Sequence, residues 1–308
     1  TKMIYTLTLN PSIDYYVRTD EFIAGGLNRC EAEGIRNGGK GINVSLTLKN
    51  LGVDSTALGF IGGFTGDKIR ADVEAAGINA QFTQVNGQCS RINVKLTHKA
   101  VSSLAGVCQE TEINGNGIRI SEDDIRDLYD KLDMLGNGDI LIMSGSVCPG
   151  LNDGAYADIM DRLSGRGIVF IVDTSGRALS LAVKKHPFLV KPNVNELLGL
   201  YNEDVKTPKE AALKLIYEGA SNVLVSMGED GAMLITDDKR TFKQAIPSVE
   251  EFGASNGGHK GIVSTIGAGD SMLAAFVAEY FFAHGSLESA LKQGVYAGTR
   301  TAYGLGLH

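Results

Sequence analysis

STIGAGDSMLAAF, residues 264–276, is a cluster of small residues followed directly by an apolar run that predicts a helix. Gly267, Ala268 and Gly269 let backbone N–H groups converge where that helix begins. The free amides and the positive end of the helix dipole together form an anion site. Asp270 lies inside it, and this stretch alone explains its carboxylate equally well as a helix cap or as a base beside a phosphate.

The second half of the chain alternates between apolar strands and helices. Strands are predicted at 139–143, 168–172, 188–190 and 222–226, with helices between them. Unbroken apolar strands in such an alternation are typical of a mostly parallel sheet covered by helices on both faces. Ligands bind beyond the carboxyl ends of these strands. We therefore expect the polar clusters that follow three of them to share one rim; these clusters are 144–146, 191–193 and 226–231.

Amphipathic strands in the first third of the chain do not fit this alternation. They are predicted at 15–18, 29–35 and 91–97. In RINVKL, residues 91–96, Arg91, Asn93 and Lys95 fall on one face and the three apolar residues on the other. We expect a separate small sheet whose apolar face the core leaves uncovered. Its polar face would be solvated in most proteins, but it also suits a lid over an anionic ligand.

Composition excludes several classes of protein. The 308 residues carry a net charge of −7, which argues against a nucleic-acid partner, because phosphate backbones require a basic face. No apolar run reaches the roughly 18 residues that a membrane helix needs, and the first ten residues lack the layout of a signal peptide. The four cysteines are scattered without a CxxC pair. These features predict a cytoplasmic protein with free thiols and no membrane partner.

Two common nucleotide-binding signatures are absent. A dinucleotide fold places GxGxxG directly after its first strand, but here that strand ends in NPSID, residues 10–14. A Walker A loop is missing because Lys40 precedes a glycine in GGKGINVS, residues 38–45. Taken alone, this second glycine cluster is explained by a flexible turn with a solvated lysine.

Five segments in order along the chain resemble one family. GGKGINVS and STIGAGDSMLAAF are similar to the two signatures of the PfkB, or ribokinase-like, carbohydrate kinases, and three intervening segments also match: SGS at 144–146, KPNVNE at 191–196 and SMGEDG at 226–231. The resemblance implies an α/β ribokinase-like fold, with a mostly parallel sheet covered by helices on both faces and a small β-sheet lid. It implies a single kinase domain over 1–308, with lid strands from about 14–36 and 89–113.

Within this family, TLNPSID at 8–14 and RINVKL resemble the branch of 1-phosphofructokinases and tagatose-6-phosphate kinases. The implied reaction is phosphorylation of a ketohexose phosphate by ATP with Mg²⁺, foremost of fructose 1-phosphate to fructose 1,6-bisphosphate. A tagatose-6-phosphate or fructose-6-phosphate kinase is the alternative. A kinase of an unphosphorylated sugar or nucleoside is disfavoured because Lys40 and Arg91 supply two cations. A non-catalytic sugar-binding relative is disfavoured because Asp270 and its glycines are intact.

The resemblance also implies a role for each matching residue. Asp270 would be the general base, and the backbone of Gly267, Ala268 and Gly269 the anion hole. The substrate would be held by Asp14, Gly39, Lys40, Asn43, Arg91, Asn93 and Ser146. The nucleotide would be held by Lys191, Asn193, Ser226, Gly228 and Gly231. Mg²⁺ would be held by Asn193 and Glu196 through water, although Glu196 is also explained as an ordinary acid at a helix start.

Lids of this branch pair across a dimer, so the resemblance implies a homodimer formed through the uncovered face of the small sheet. Arg29, expected on a lid strand, would then reach toward the partner's site. The segment EFGASNGGHK at 251–260 departs from the family pattern and has no assigned role.

Overall fold

The computed structural model describes residues 2–99, 108–201, 205–252 and 265–305, which form two sheets and their flanking helices. The strands are β1 (Ile4–Thr8), β2 (Ser12–Thr19), β3 (Ala32–Gly38), β4 (Thr56–Ile61), β5 (Asn79–Ala80), β6 (Thr83–Gln84), β7 (Arg91–Lys99), β8 (Cys108–Asn114), β9 (Ile140–Ser144), β10 (Val169–Asp173), β11 (Leu189–Val190), β12 (Asn222–Ser226), β13 (Ala232–Thr236) and β14 (Thr241–Gln244). The helices are α1 (Lys40–Asn50), α2 (Gly63–Ala75), α3 (Glu122–Leu132), α4 (Ala155–Arg162), α5 (Gly176–Ala182), α6 (Val194–Gly199), α7 (Pro208–Glu218), α8 (Ala268–Phe281) and α9 (Leu287–Ala302).

The larger sheet is mostly parallel, as the sequence predicts. Its strand order is β14-β13-β12-β11-β10-β9-β1-β4-β5, with β6 also paired to β4. Only β12-β13 and β13-β14 are antiparallel. β13 and β14 form a hairpin, whose turn places Lys239 in the left-handed region with a φ of 65°.

Helices cover both faces of this sheet, which confirms the predicted fold class. Alternate residues of β9 show the division, because successive side chains of a strand point to opposite faces. Leu141 and Met143 pack in the core cluster formed with α3, α4, α5 and α7. Ile140 and Ile142 pack in the cluster formed with α1, α8 and α9.

The sheet changes its direction of winding beside β1. From β1 the chain passes to β4 on one side, whereas β9 later pairs with β1 on the other side. Ligands of open α/β sheets bind at the carboxyl ends of the strands where the order reverses. The segments that leave β1 and β9 therefore meet at the expected position of a binding site.

The smaller sheet is built from the predicted lid strands in the order β3-β2-β7-β8. Its apolar face is exposed as expected: Ile35 keeps 59%, Ile92 45% and Ile113 63% of its surface accessible. Arg29 is a correction, because β3 begins only at Ala32 and Arg29 lies on the exposed connection before it.

Two elements were not predicted from the sequence. Helix α5 has no strong signal in its short segment, and β5 is only two residues long. Of the unassigned segment 251–260, only its first two residues are described, where Phe252 lies 4.6 Å from Tyr296, centroid to centroid. Cys30, Cys89 and Cys148 are free thiols, as predicted. Within the described ranges, no helix combines the length and the apolar character that crossing a membrane requires.

Candidate active site

The first turn of α8 carries the predicted base and anion hole. Gly267 caps the helix with a φ of 76°, a backbone conformation that favours glycine. The first helical hydrogen bond runs from Ser271 N–H to Gly267 C=O at 2.9 Å, so the N–H groups of Gly269 and Asp270 lie ahead of it. The N–H of Ala268 donates to Thr265 C=O at 3.2 Å. The anion site of this turn therefore consists mainly of the amides of Gly269 and Asp270.

Asp270 is buried with 6% of its surface accessible. Burial raises its pKa to about 6, and the nearby charge of Asp173 acts in the same direction. The hydrogen bond from Asn43 and the charges of Lys191 and Lys40 partly oppose this rise. A carboxylate with a pKa near neutrality is a suitable general base, because it is ionised at pH 7 yet basic enough to accept a proton.

Asn43 lies on the first turn of α1 and contacts the base. Its Nδ2 donates to Asp270 Oδ2 at 2.8 Å, so it orients the carboxylate in addition to any contact with a sugar. The preceding glycines make this approach possible. A Cβ on Gly41 would stand 2.5 Å from Thr8 Oγ1, and Gly39 has a φ of 131°. The second glycine cluster thus lets α1 begin directly against β1.

A buried carboxylate joins two of the predicted lysines. Asp173, at the end of β10, has no accessible surface. Lys40 Nζ donates to its Oδ1 at 3.0 Å, and Lys191 Nζ lies 3.2 Å from its Oδ2. Burial alone would raise the pKa of Asp173, but the charges of Lys191 and Lys40 outweigh burial and lower it. Asp173 in turn raises the pKa of Lys40. Asp173 and Lys40 are therefore ionised at neutral pH.

A polar cleft of about 280 Å³ opens at the carboxyl ends of β1, β9 and β10. Six of the seven predicted substrate residues line it; they are Asp14, Gly39, Lys40, Arg91, Asn93 and Ser146. Asn43 does not line the cleft and contacts Asp270 instead. The remaining lining residues are Thr8, Asn10, Ser12, Gly145, Thr174, Ser175 and Glu196.

The lid holds Asp14 at the cleft. Asp14 and Asn93 are neighbours across β2 and β7. Asp14 Oδ1 accepts hydrogen bonds from Ser12 Oγ at 2.7 Å and from Asn93 Nδ2 at 2.8 Å. A Cβ on Gly38 would stand 2.4 Å from the same oxygen, so the glycine leaves room for the carboxylate. The arrangement fixes one oxygen of the Asp14 carboxylate, Oδ1, by protein contacts.

Arg91 brings a half-buried cation to the same cleft. Its Nε donates to Asn10 C=O at 3.1 Å and its Nη1 to Gly115 C=O at 3.4 Å. Burial lowers the pKa of Arg91, while the charge of Asp14 acts against the decrease. Lys95, the other cation on this face of the lid, pairs with Glu112 at 2.6 Å and does not line the cleft. Among the described residues, Arg91 and Lys40 are thus the two cations that face the cleft.

The KPNVNE segment forms the start of α6. Asn193 Oδ1 accepts from Glu196 N–H at 2.8 Å, and Glu196 Oε2 accepts from Asn193 N–H at 2.9 Å, which is a capping box. The helix-start interpretation of Glu196 is therefore correct for one of its oxygens. Its Oε1 lies 4.0 Å from Lys40 Nζ at the edge of the cleft. That oxygen remains available to a ligand.

The predicted nucleotide segment continues from this helix start. Ser226 pairs with Asn193 at the end of β12. Gly228 begins a short 3₁₀ turn and Gly231 follows it, with φ values of 60° and 86°. A Cβ on Gly231 would stand 2.0 Å from Gln244 C=O, so this turn requires glycine to pack against β14. All three strand-end clusters thus lie at one end of the sheet.

Asp173 is the important residue that sequence reasoning missed. It ends an apolar strand in the same way as the three clusters that were singled out, and it is followed by the cleft residues Thr174 and Ser175. Strand-end position was therefore a usable signal. Its contact with lysines 133 and 18 residues away was not visible in the sequence.

Asn193 and Glu196, the residues predicted to hold Mg²⁺, offer few free oxygen atoms to a cation. Asn193 Oδ1 and Glu196 Oε2 are engaged in the capping box, so Glu196 Oε1 is the oxygen left for a cation. Among the residues described, no three His, Cys, Asp or Glu side chains converge into a metal cage. One available carboxylate oxygen fits a hydrated Mg²⁺, which keeps several waters and is bound by few protein groups.

Comparison with known proteins gives one consistent result. Residues 7–302 match the family described as pfkB family carbohydrate kinase. The chain is 43% identical over 304 residues to a 1-phosphofructokinase of Borreliella burgdorferi, covering 97% of this chain and 92% of that protein. It is 35% identical over 309 residues to a D-tagatose-1-phosphate kinase of Bacillus licheniformis, covering 99% and 94%.

A solved structure is similar over nearly the whole chain. Phosphofructokinase-2 from Escherichia coli, in complex with fructose-6-phosphate, superposes with a TM-score of 0.84 at 30% identity. The match covers 98% of this chain and 94% of that one. The fold described above is therefore that of a known sugar-phosphate kinase structure.

Proposed function

The chain belongs to the pfkB family of carbohydrate kinases, and from that premise we propose that it phosphorylates a ketohexose phosphate with ATP, with fructose 1-phosphate as the preferred acceptor. One observation carries the proposal. Helix α1 places the base beside the sugar cleft. Its Asn43 donates to the buried Asp270. Its Lys40 lines the cleft and donates to Asp173, whose other oxygen lies 3.2 Å from Lys191. A base, an anion site and a sugar cleft in one cluster are the parts that phosphoryl transfer requires.

In this mechanism the oxygen of the sugar hydroxyl attacks the γ-phosphorus of ATP, and ADP leaves. Asp270 accepts the proton of that hydroxyl. Asn43 holds Oδ2 of the base, so Oδ1 is the oxygen that takes the proton. The amides of Gly269 and Asp270, with Lys191, stabilise the charge that develops on the transferring group. Lys191 suits this role because its Nζ lies 3.1 Å from the position of a Cβ on Gly269. Because little covalent chemistry falls to the protein, positioning and electrostatics supply most of the acceleration.

The acceptor's own phosphate is assigned to Arg91 and Lys40. A guanidinium fork and an ammonium group in a half-buried cleft form strong charge-assisted hydrogen bonds with phosphate oxygens. The carboxylate of Asp14 and the amide of Asn93 would bind sugar hydroxyls on the lid side. A substrate whose phosphate is held there presents its opposite end to Asp270. Two similar relatives are named for 1-phosphates, which supports C1 as the phosphorylated carbon and the 6-hydroxyl as the acceptor.

When bound, Mg²⁺ would shield the charge of the nucleotide phosphates during transfer. Asn193 and Glu196 would hold it through water, with Glu196 Oε1 as the available oxygen. The remaining nucleotide residues are Ser226, Gly228 and Gly231. We further propose that the chain acts as one kinase domain, which the family match over residues 7–302 supports. A cytoplasmic location is also proposed, on the basis of the scattered cysteines.

A panel of acceptors tests the proposed function. The protein is incubated with ATP, Mg²⁺ and each of fructose 1-phosphate, tagatose 1-phosphate, tagatose 6-phosphate, fructose 6-phosphate and fructose, and ADP release is followed. We expect the highest kcat/KM with fructose 1-phosphate. A higher value with tagatose 6-phosphate or fructose 6-phosphate would make the alternative branch correct. No ADP release with any acceptor would leave a non-catalytic sugar-binding relative.

Glu196→Gln is expected to raise the Mg²⁺ concentration that gives half-maximal rate, with little change in the sugar KM. Glutamine can still accept the hydrogen bond from Asn193 N–H, so the capping box and α6 are retained. It lacks the negative charge that would attract a hydrated cation. The measurement is the rate as a function of Mg²⁺ at saturating ATP and sugar phosphate.

Glu210→Gln is the matched control, because Glu210 closes the same capping box with Thr207 at the start of α7. Its metal dependence should equal that of the wild type. If Glu196→Gln also leaves the metal dependence unchanged, Glu196 is a helix cap only.

We propose that the protein is a homodimer formed through the apolar face of the lid. Ile35, Ile92 and Ile113 are exposed on this face, on strands β3, β7 and β8 of the sheet ordered β3-β2-β7-β8. A contiguous apolar patch on a sheet is costly to leave in water. Ile113→Asp is therefore expected to shift the protein from dimer to monomer in light scattering at micromolar concentration.

Met134→Asp provides the comparison for this test, since Met134 is 80% exposed but lies after α3, away from the lid. It should leave the dimer intact. A wild-type protein that is monomeric and fully active would contradict the shared lid.

A further inference from the structure

Asp173 has no part in the chemistry derived above, although it is the most deeply buried carboxylate of the candidate site. It ends β10 and lies between two cations that reach it from different elements. Lys40 begins α1 and faces the sugar cleft. Lys191 follows β11 and lies beside Gly269 at the anion site. Each lysine contacts a different oxygen, Oδ1 at 3.0 Å and Oδ2 at 3.2 Å.

We propose that Asp173 is a positioning residue, whose carboxylate fixes the ammonium groups of Lys40 and Lys191 so that the acceptor's phosphate and the donor's phosphate are aligned across the site. This inference rests on the proposed function. The physical reason is that two ammonium groups repel each other where water is excluded. One carboxylate with two oxygens offsets that repulsion and sets the positions of both ammonium groups, which lie at the ends of flexible four-carbon chains.

The direction of the effect separates this role from plain electrostatics. Asp173→Asn removes a negative charge next to two anionic substrates. If charge alone mattered, the substitution would strengthen binding of both substrates and would not slow the reaction. If Asp173 positions the lysines, kcat falls by about 10²-fold, since displacement of a positioned group by about 1 Å has that effect. The KM values for ATP and fructose 1-phosphate stay equal to the wild-type values or decrease.

The pH profile gives a second readout, which reports the charge of Asp173 beside the base. Asp270 is faced by Asp173 from β10, by Lys191 after β11, and by Lys40 and Asn43 from α1. The charge of Asp173 raises the pKa of Asp270, so Asp173→Asn should move the acid limb of kcat/KM to lower pH. A purely structural role predicts a lower unfolding temperature with an unchanged kcat.

The experiment compares wild type, Asp173→Asn, Lys191→Met and the double variant, with fructose 1-phosphate and MgATP. Because Asp173 acts partly through Lys191, the double variant should lose less rate than the product of the two single losses. The double variant also keeps the test possible if Asp173→Asn folds poorly by itself, because a protein often tolerates replacement of both members of a buried ion pair. Asp139→Asn is the control: Asp139 is a buried carboxylate at the opposite, amino end of β9, held by Met3 N–H and Gly136 N–H. It should lower stability without a change in kcat.

Three results would overturn the proposal. The first is an Asp173→Asn enzyme whose kcat is within threefold of the wild-type value. The second is a double variant whose rate loss equals the product of the two single losses. The third is recovery of full kcat by Asp173→Asn at high Mg²⁺, which would make Asp173 a metal ligand. An inactive wild type would instead overturn the proposed function itself. The two failures are therefore distinguishable.

Discussion

Replacement of Asp270 by asparagine is expected to lower kcat with fructose 1-phosphate by about 10²–10⁴, the range for loss of a general base. Asparagine has nearly the same shape, but it cannot accept the hydroxyl proton. The amides at the start of α8 and Lys191 remain, so ATP should still bind. Steady-state kinetics and ATP titration by calorimetry measure the two effects separately.

Asp67→Asn is the matched control, because Asp67 is exposed on α2 and lies outside the candidate site. It should have wild-type kcat. Asp270→Asn should also unfold at the same temperature as wild type or higher at pH 8. Because the pKa of Asp270 is raised from 3.8 to about 6, the protein loses stability as the pH rises between these two values, and the loss is complete above pH about 6. An Asn variant within a few-fold of the wild-type kcat would leave Asp270 as a helix-start residue only.

The same pKa sets the pH dependence of the wild type. Below pH about 6, Asp270 is protonated in the free enzyme and cannot accept the hydroxyl proton. We expect kcat/KM to fall about tenfold for each further pH unit of acidification. In Asp270→Asn this acid limb should be absent.

Arg91→Ala is expected to reduce kcat/KM for fructose 1-phosphate by about 2–5 kcal/mol of transition-state stabilisation. Loss of the guanidinium group leaves a desolvated substrate phosphate without its charged partner, and this raises the free energy of the transition state. For unphosphorylated fructose, the same variant should lose much less. The ratio of the two losses is the measurement that identifies a phosphate anchor.

The losses with the two substrates must be compared because Arg91 also has a structural role in the lid. Arg91 also donates to the carbonyls of Asn10 and Gly115, so its removal loosens the connection between β1 and the lid for every substrate. Equal losses with fructose and fructose 1-phosphate would show that Arg91 only holds the lid. Arg119→Ala, at an exposed arginine outside the cleft, should change neither value.

Local patterns in the sequence are sufficient for the fold class and for most elements. Apolar strands such as 139–143 are continuous because both of their faces are buried, and the lid strands alternate because one face is polar. Periodicity records burial directly, so these elements are found within a few residues of their bounds. Helix α5 and strand β5 were missed because they are too short for a period to be visible.

Most residues of the candidate site were also identified from the sequence, because glycine clusters and strand ends mark where a backbone must turn sharply beside a ligand. Gly267 and Gly39 are examples, since both adopt positive φ. Such requirements are local and therefore appear in the local sequence.

Contacts across the sheet were decided only by the tertiary structure. Asn43 donates a hydrogen bond to the predicted base, which lies 227 residues away in the sequence. Asp173 accepts a hydrogen bond from Lys40, which lies 133 residues away. Nothing local distinguishes Asp173 from any acid at the end of a strand. The pKa of Asp173 is low and that of Asp270 is raised because of the charges that the fold brings within a few ångströms of each carboxylate. Both carboxylates are buried, where electrostatic interactions are strong. The sequence by itself determined which chemical groups line the rim, whereas tertiary packing decided which of them act on one another.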